Sequence, residues 1–263
     1  MALRINSNVD AMAAHRHLAQ TSDKLAQSME RLSSGLRINK AADDAAGLGI
    51  SEKMRGQING LAQAQRNIQD GVSMVQTAEG NLDEVHSILQ RVRELAVEYK
   101  NGALSTAGKA AITSEVNALS SEIDRIQKSA TFNGITLLGT STSVTFQVGA
   151  NDGESISVSF GSASLSSSYD LSDAAILSSI DADIDAVSAT RAGFGAVQNR
   201  LDHALAVAGS YQANLTSAES RIRDVDMAEE MVNLTKNQIL QQAGTAMLAQ
   251  ANQAPQAVLQ LLR

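Results

Sequence analysis

A chain of 263 residues with net charge −7, no cysteine, no tryptophan and 3% aromatic residues is long enough for one large domain or two small ones. The missing cysteines exclude a disulfide framework and a thiolate metal site, and no basic patch with interleaved aromatics points to nucleic acid. Apolar content comes from Ala, Leu, Ile and Val rather than from rings, which suits long, thin helical packing.

The opening MALRINSNVDAMAAHRHLAQ has no continuous apolar region with a cleavage site behind it, so it does not read as a cleaved secretory signal. No run approaches the roughly 18 apolar residues of a membrane span. Residues 5–36 read as an amphipathic helix: Ile5, Val9 and Met12 start a stripe that Leu18, Leu25, Met29, Leu32 and Leu36 continue in a shifted register.

The stretch RLSSGLRINKAADDAAGLGI (31–50) then breaks the pattern with glycines, Asp43 and Asp44. It holds no GxxxxGK[ST] and no GxGxxG, so a phosphate loop is disfavoured. Neighbouring carboxylates do not face one another on a helix, but they suit a helix start, where the dipole favours negative charge. The stretch reads as a joint between two helical parts.

Residues 57–100 form the clearest helix. Leu61, Ile68, Val75, Leu82, Leu89 and Ala96 recur every seven residues, with Ala64, Gly71, Ala78, Val85 and Val92 between them. Such a run argues for a coiled-coil-like seam. Gly102, in NGALST, is the expected C-cap. A shorter helix follows, with Ile112, Val116, Leu119, Ile123 and Ile126 on one face.

The period then changes. Asn133-Gly134 in TFNGITLL signals a tight turn. Val144, Phe146 and Val148, then Ile156, Val158 and Phe160, alternate with polar residues around a turn near Asp152-Gly153, as in a β-hairpin. GSASLSSSYDLSD reads as a Ser-rich loop. A second long helix is expected from about residue 173, with Ile180, Val187, Phe194, Leu201, Ala208, Leu215 and Ile222 seven apart. Gly195 inside it implies a bend or a close backbone approach. Residues 225–263 repeat the device with Val225, Val232, Ile239 and Ala246, then Val258, Leu259, Leu261 and Leu262.

The layout is a near-palindrome and predicts a mainly α fold: a long antiparallel coiled-coil-like helical bundle with a small β-hairpin insert. Residues 1–45 and 219–263 would form one domain of terminal helices. Residues 46–218 would form a helical rod that includes the β insert at about 131–162. The terminal helices have apolar stripes and no third element to cover them. Lone helices of this kind are marginal in water, so their partners are expected to be other chains.

No constellation for catalysis appears. His15 and His17 point in different directions on a helix, His86 and His203 are isolated, and neither HExxH nor GxSxG occurs. No cofactor or metal is expected. Asn214-Leu-Thr216 and Asn233-Leu-Thr235 match the N-glycan sequon but lie in expected helices, and the serines at 162–168 read as an exposed loop. QRVRELAV (90–97) places Arg91, Leu95 and Glu98 off the Leu89/Val92/Ala96 seam, as a solvated face or a contact surface.

Taken together, ERLSSGLRINKAADDAAGLGIS, QRVRELAV, SEIDRI, TFNGITLL, GAVQNRL and QILQQAGTAMLAQANQAPQAVLQLLR resemble bacterial flagellin, over about residues 1–140 and 173–263. The middle is short, so the chain resembles a minimal member with the two inner domains only. The resemblance implies a non-enzymatic subunit of the flagellar filament, an extracellular homopolymer exported by the flagellar type III apparatus for swimming motility. It implies that the terminal helices form the inner-tube domain, ordered on polymerisation, and that residues 31–50 match its spoke. Implied subunit contacts are Leu32, Leu36, Arg37, Asp43, Asp44, Val232, Ile239, Leu259 and Leu262.

Implied partners are an export chaperone on the stripe from Val225 to Ala246, and the filament cap and hook-junction proteins. The resemblance adds a vertebrate Toll-like receptor 5 reading Arg91, Leu95 and Glu115, and cytosolic immune receptors sensing Leu259, Leu261 and Leu262. A hook–filament junction protein of the same family is the alternative. A lipid-surface helical protein is disfavoured by the negative charge and Ala-rich stripes, and a protease-bearing relative by the missing HExxH.

Overall fold

A computed structural model of the chain describes residues 8–139, 141–161, 165–166 and 168–261, with side chains as far as Gln253. It contains the helices α1 (Val9–Ser34), α2 (Ala45–Tyr99), α3 (Thr106–Ser129), α4 (Ile176–Arg223) and α5 (Met227–Leu261). The strands are β1 (Thr131–Phe132), β2 (Ile135–Thr136), β3 (Thr142–Gln147) and β4 (Ser155–Phe160). The chain divides into two compact units, Met1–Arg55 with Leu215–Arg263, and Gly56–Asn214, so that the boundary falls inside α2 and inside α4.

The Gly56–Asn214 unit holds the main core. Every member of the Leu61–Ala96 heptad is buried, as are Ala64, Ala78, Val85 and Val92 between them. Ile112, Val116, Ile123 and Ile126 of α3 and Ile180, Val187, Phe194 and Leu201 of α4 join the same cluster. Each such side chain contributes about 1.5–3 kcal/mol when fully buried. Helices α2 and α4 run antiparallel, as three cross-links in opposite chain order require: Arg93–Asp181 at 2.6 Å, Arg191–Asp83 at 2.9 Å and Gln65–Gln212 at 2.8 Å.

The turn signals act as expected. Asn133 (φ 49°) and Gly134 (φ 79°) close the β1–β2 hairpin through two left-handed residues, which is the type I′ geometry favoured by Asn-Gly. In the second hairpin Val144 faces Val158, Phe146 faces Ile156, and Gly153 (φ 85°) makes the turn. Glycines on α2 seat this hairpin. A Cβ at Gly60 would lie 3.0 Å from the Ala150 methyl, and one at Gly71 3.3 Å from the Phe146 ring. The inner end of the hairpin is closed by Phe160, whose ring centroid is 5.6 Å from that of Phe194.

Three expectations need correction. Helix α2 starts at Ala45 rather than near residue 57, because Gly47 and Gly49 belong to its first turns and not to the joint. A Cβ at Gly47 would collide with the Asp44 carboxylate and with Ile38 Cδ1, so a glycine there lets the cap sit tight on the helix. Gly102 follows the end of α2 but has no left-handed φ and forms no αL cap. A Cβ at Gly195 would meet nothing within 4 Å, so of the two readings of that glycine, a bend and a close backbone approach, the second does not hold.

The Ser-rich loop is anchored by a contact that periodicity does not reveal. Asp183 of α4 is buried and accepts a hydrogen bond from the Tyr169 hydroxyl at 2.8 Å and another from the Ser166 backbone N–H at 3.2 Å. Burial first, and then the adjoining carboxylate, pushes the Tyr169 phenol well above its ordinary pKa. Of the serine run, residues 162–164 and Ser167 lie outside the described residues.

Candidate functional site

The unit built from the chain ends has a joint and a helix pair. At the joint, Gly35 (φ 72°) ends α1 in the left-handed conformation and its N–H bonds back to the Arg31 carbonyl at 2.8 Å. Leu36 then bridges antiparallel to Asp224. Arg37 N–H donates to the Arg223 carbonyl at 2.6 Å, and Val225 N–H donates to the Gly35 carbonyl at 3.1 Å. The two connecting segments are thereby tied together as a minimal β-ladder.

Charged groups lock this crossing. The Arg37 guanidinium donates to the Ile222 carbonyl. Arg223, largely buried, pairs with Glu52 at 2.6 Å and holds that carboxyl below its usual range. Asp43 accepts from the backbone N–H groups of Lys40 (3.0 Å) and Asn39 (3.1 Å), in that order of effect, and its pKa is lowered. Asp44 accepts from Gly47 N–H at 2.9 Å and so caps α2. Arg37, Asp43 and Asp44 are therefore all engaged within one unit. Leu32 and Leu36 are half-buried there.

Helices α1 and α5 pair antiparallel. Arg31 meets the buried Glu230 at 3.7 Å, Leu18 lies against Gly244, and Asn8 Nδ2 donates to the Ala251 carbonyl at 2.7 Å. Covered positions of α5 include Glu230, Leu234, Asn237, Gln241, Gly244, Leu248 and Ala251, alternating in steps of four and three. Those of α1 include Ala11, Ala14, Leu18, Thr21, Leu25, Ser28 and Leu32, on the same rhythm. This is a heptad seam made largely of small and polar residues.

The apolar stripe of α5 faces away from that seam. Val232 is 67% exposed and Ile239 60% exposed, and Met231, Leu240 and Met247 are exposed beside them. Met231, Val232, Thr235, Lys236, Ile239 and Leu240 line one shallow groove. Leu240 and Met247 share a second with Leu18 and Gly244. The Val232/Ile239/Ala246 periodicity thus marks a real stripe, but not the face that α1 covers. The α1 half of the pairing seam is the Leu18/Leu25/Leu32 stripe read from the sequence, whereas the α5 half escaped because Glu230, Asn237, Gln241 and Gly244 outnumber Leu234 and Leu248 there and an apolar pattern search passes over them. The side chain of Leu259 and all of Leu262 lie outside the described residues.

On the other unit, Arg91 is exposed and pairs with Glu115 at 3.0 Å and Glu94 at 3.2 Å. Leu95 does not join them: it is 2% exposed, inside the core. The sequence reading placed it off the seam, but α2 carries a wider apolar arc, with Met74 beside Val75 and Leu95 beside Ala96 all buried. A helix packed against two helices and a hairpin needs that arc.

Comparison with known proteins decides the family. The model of the bacterial flagellin N-terminal helical region matches residues 5–143, and that of the C-terminal helical region matches residues 177–262. The chain belongs to the bacterial flagellin family. It is 52% identical to a flagellin of Halalkalibacterium halodurans, over 98% of this chain and 99% of that one. It is 46% identical to a flagellin of Bacillus subtilis, over 99% and 100% of the two chains. It is also 46% identical to a flagellar filament 33 kDa core protein of Treponema phagedenis, over 98% and 99%.

The fold is also similar to that of a putative flagellar hook-associated protein from Vibrio parahaemolyticus, with a TM-score of 0.59 at 14% identity, covering 69% of this chain and all of that one. The span between the two family matches carries most of the β3–β4 hairpin and the Ser-rich loop. Flagellins are structural proteins, and among the described residues no helix is long and apolar enough to cross a membrane.

Proposed function

We propose that this chain is the structural subunit that polymerises into the bacterial flagellar filament, with the α1–α5 unit as the inner-tube domain through which copies pack. The observation that carries this reading is the uncovered stripe of α5. Burying a Val, Ile or Met side chain is worth about 1.5–3 kcal/mol, and here several stand in solvent while the same helix pairs through Leu234, Asn237, Gln241, Gly244 and Leu248. A second copy supplies the cover. When such a contact is head-to-tail and does not close, it propagates as an open helix.

Family membership supports the rest. The subunit leaves the cell through the flagellar type III apparatus and works outside it in swimming motility. A chaperone would occupy the Val225–Ala246 stripe before export, and cap and hook-junction proteins would meet the filament ends. A vertebrate Toll-like receptor 5 would read the exposed Arg91–Glu115 pair, with Leu95 contributing only from beneath the surface.

The test is elongation. Purified subunit is added to short filament seeds and examined by negative-stain electron microscopy. Long uniform tubes are expected from this chain alone. Deleting residues 1–40 or 225–263 should leave the Gly56–Asn214 unit helical by circular dichroism and abolish elongation. Filaments from both truncated chains would refute the reading. Intact subunits that never elongate would favour a junction protein instead.

A further inference from the structure

The methionines of this chain are distributed unequally. Met74 is buried in the core and Met54 is half-buried, whereas Met12, Met29, Met227, Met231 and Met247 are exposed, all on α1 or α5. The chain has no cysteine and no tryptophan, so the thioethers are its most oxidisable side chains. Met231 and Met247 sit at the two ends of one apolar strip, joined through Leu240, which lines both of its grooves.

We propose that Met231 and Met247 are oxidation sites through which peroxide blocks assembly of the free subunit. The proposal rests on the filament reading above. A sulfur lone pair attacks one oxygen of the hydroperoxide, the O–O bond breaks, and the second oxygen leaves as water after proton transfer. The thioether is oxidised by two electrons to the sulfoxide, and the peroxide is reduced by two. The product carries a strong S–O dipole at each end of a strip that, on the filament reading, assembly dries. A polar group buried there without a donor opposes association. Sulfoxide reductases with a dithiol reverse the change, giving Met, a disulfide and water. Subunits already assembled would be protected, because the same surface is then covered.

The full-length protein is treated with hydrogen peroxide, its sulfoxides are mapped by mass spectrometry, and seeded elongation is timed. Met231 and Met247 should oxidise while Met74 does not, with helicity unchanged. The elongation rate should fall at least roughly tenfold, as for an unsatisfied polar group at an interface. Reductase treatment should restore it. The Met231→Leu/Met247→Leu variant, close in volume, should elongate equally well with and without peroxide.

Oxidised wild-type protein that elongates at the untreated rate overturns the proposal, and so does a double variant as sensitive as the wild type. Should the double variant fail to elongate at all, reductase rescue of the wild-type chain decides: recovery supports the proposal and its absence overturns it. Failure of untreated wild-type protein to elongate is a separate result and removes the filament reading itself.

Discussion

Replacing Tyr169 by Phe tests whether the buried hydroxyl–carboxylate contact holds the Ser-rich loop to α4. Tyr169 is 3% exposed and its hydroxyl lies 2.8 Å from Asp183 Oδ2. The ring of Phe fills the same space, so the apolar burial is unchanged. What is lost is one hydrogen bond to a buried carboxylate, which then keeps only the Ser166 N–H at 3.2 Å among the hydrogen bonds described for it. Leaving a charged acceptor short of a partner costs about 1–3 kcal/mol, and for a unit of this size lowers Tm by about 2–4 °C per kcal/mol.

The assay is urea and thermal unfolding followed by far-ultraviolet circular dichroism, since the chain has no tryptophan to report. The contact also has a pH signature. The phenol's pKa is raised in the folded state, so its contribution is complete below the unfolded value near 10 and is lost as pH climbs through the higher folded value. Wild-type stability should therefore decline above about pH 10, and Tyr169→Phe should remove that part of the slope. A variant within about 0.5 kcal/mol of the wild type at neutral pH, the scatter of ordinary surface changes, with an unchanged alkaline slope, would refute the argument.

Further outcomes follow from single positions. Gly71→Val forces side-chain atoms into the Phe146 ring and should destabilise by about 1–3 kcal/mol, whereas Gly195→Ala, with open space around it, should stabilise α4 by about 0.5–1 kcal/mol; urea midpoints for the two variants check both signs. Asp44→Ala removes the α2 cap and should cost about 1 kcal/mol, read as faster hydrogen exchange at Gly47 and Leu48. Val232→Ser with Ile239→Ser should leave the monomer's melting within the scatter of surface substitutions, because both side chains are already largely in solvent. It should nevertheless prevent seeded elongation, and normal filaments from that variant would place the assembly surface elsewhere.

The seam from Leu61 to Ala96 was legible because one period of seven runs unbroken and every member is buried. The β3–β4 hairpin was legible from the alternation around Asp152-Gly153, while Asn133-Gly134 gave the tight turn but not the two short strands that flank it. At the start of α2 the helix-start role of Asp43 and Asp44 was legible, but the heptad alone put the helix near residue 57, because Gly47 and Gly49 read as part of the joint. Leu95 was misplaced because a single-face heptad does not reveal that three elements share one helix. Tyr169 and Asp183 lie fourteen residues apart across an irregular loop, and no local pattern links them. At the joint, Arg223–Glu52 and the Leu36–Asp224 bridge join opposite ends of the chain, so each half of the sequence shows only one partner.

The α5 helix explains why folding and association are one problem for this chain. Helices draw most of their stability from burying an apolar face. The face that α5 covers in a single copy carries Glu230, Asn237, Gln241 and Gly244 beside only two large apolar residues, Leu234 and Leu248, so much of that seam is polar. The face that would stabilise it is occupied by Val232, Ile239 and Leu240 and points outward. An internal rearrangement that turned this face onto α1 would expose the Arg31–Glu230 pair and lose the Asn8–Ala251 bond, so α5 cannot satisfy both faces within one copy. Meanwhile the Gly56–Asn214 unit carries its own continuous core. A subunit divided in this way holds one core of its own and leaves one apolar stripe uncovered, the stripe that the proposed filament contact would bury.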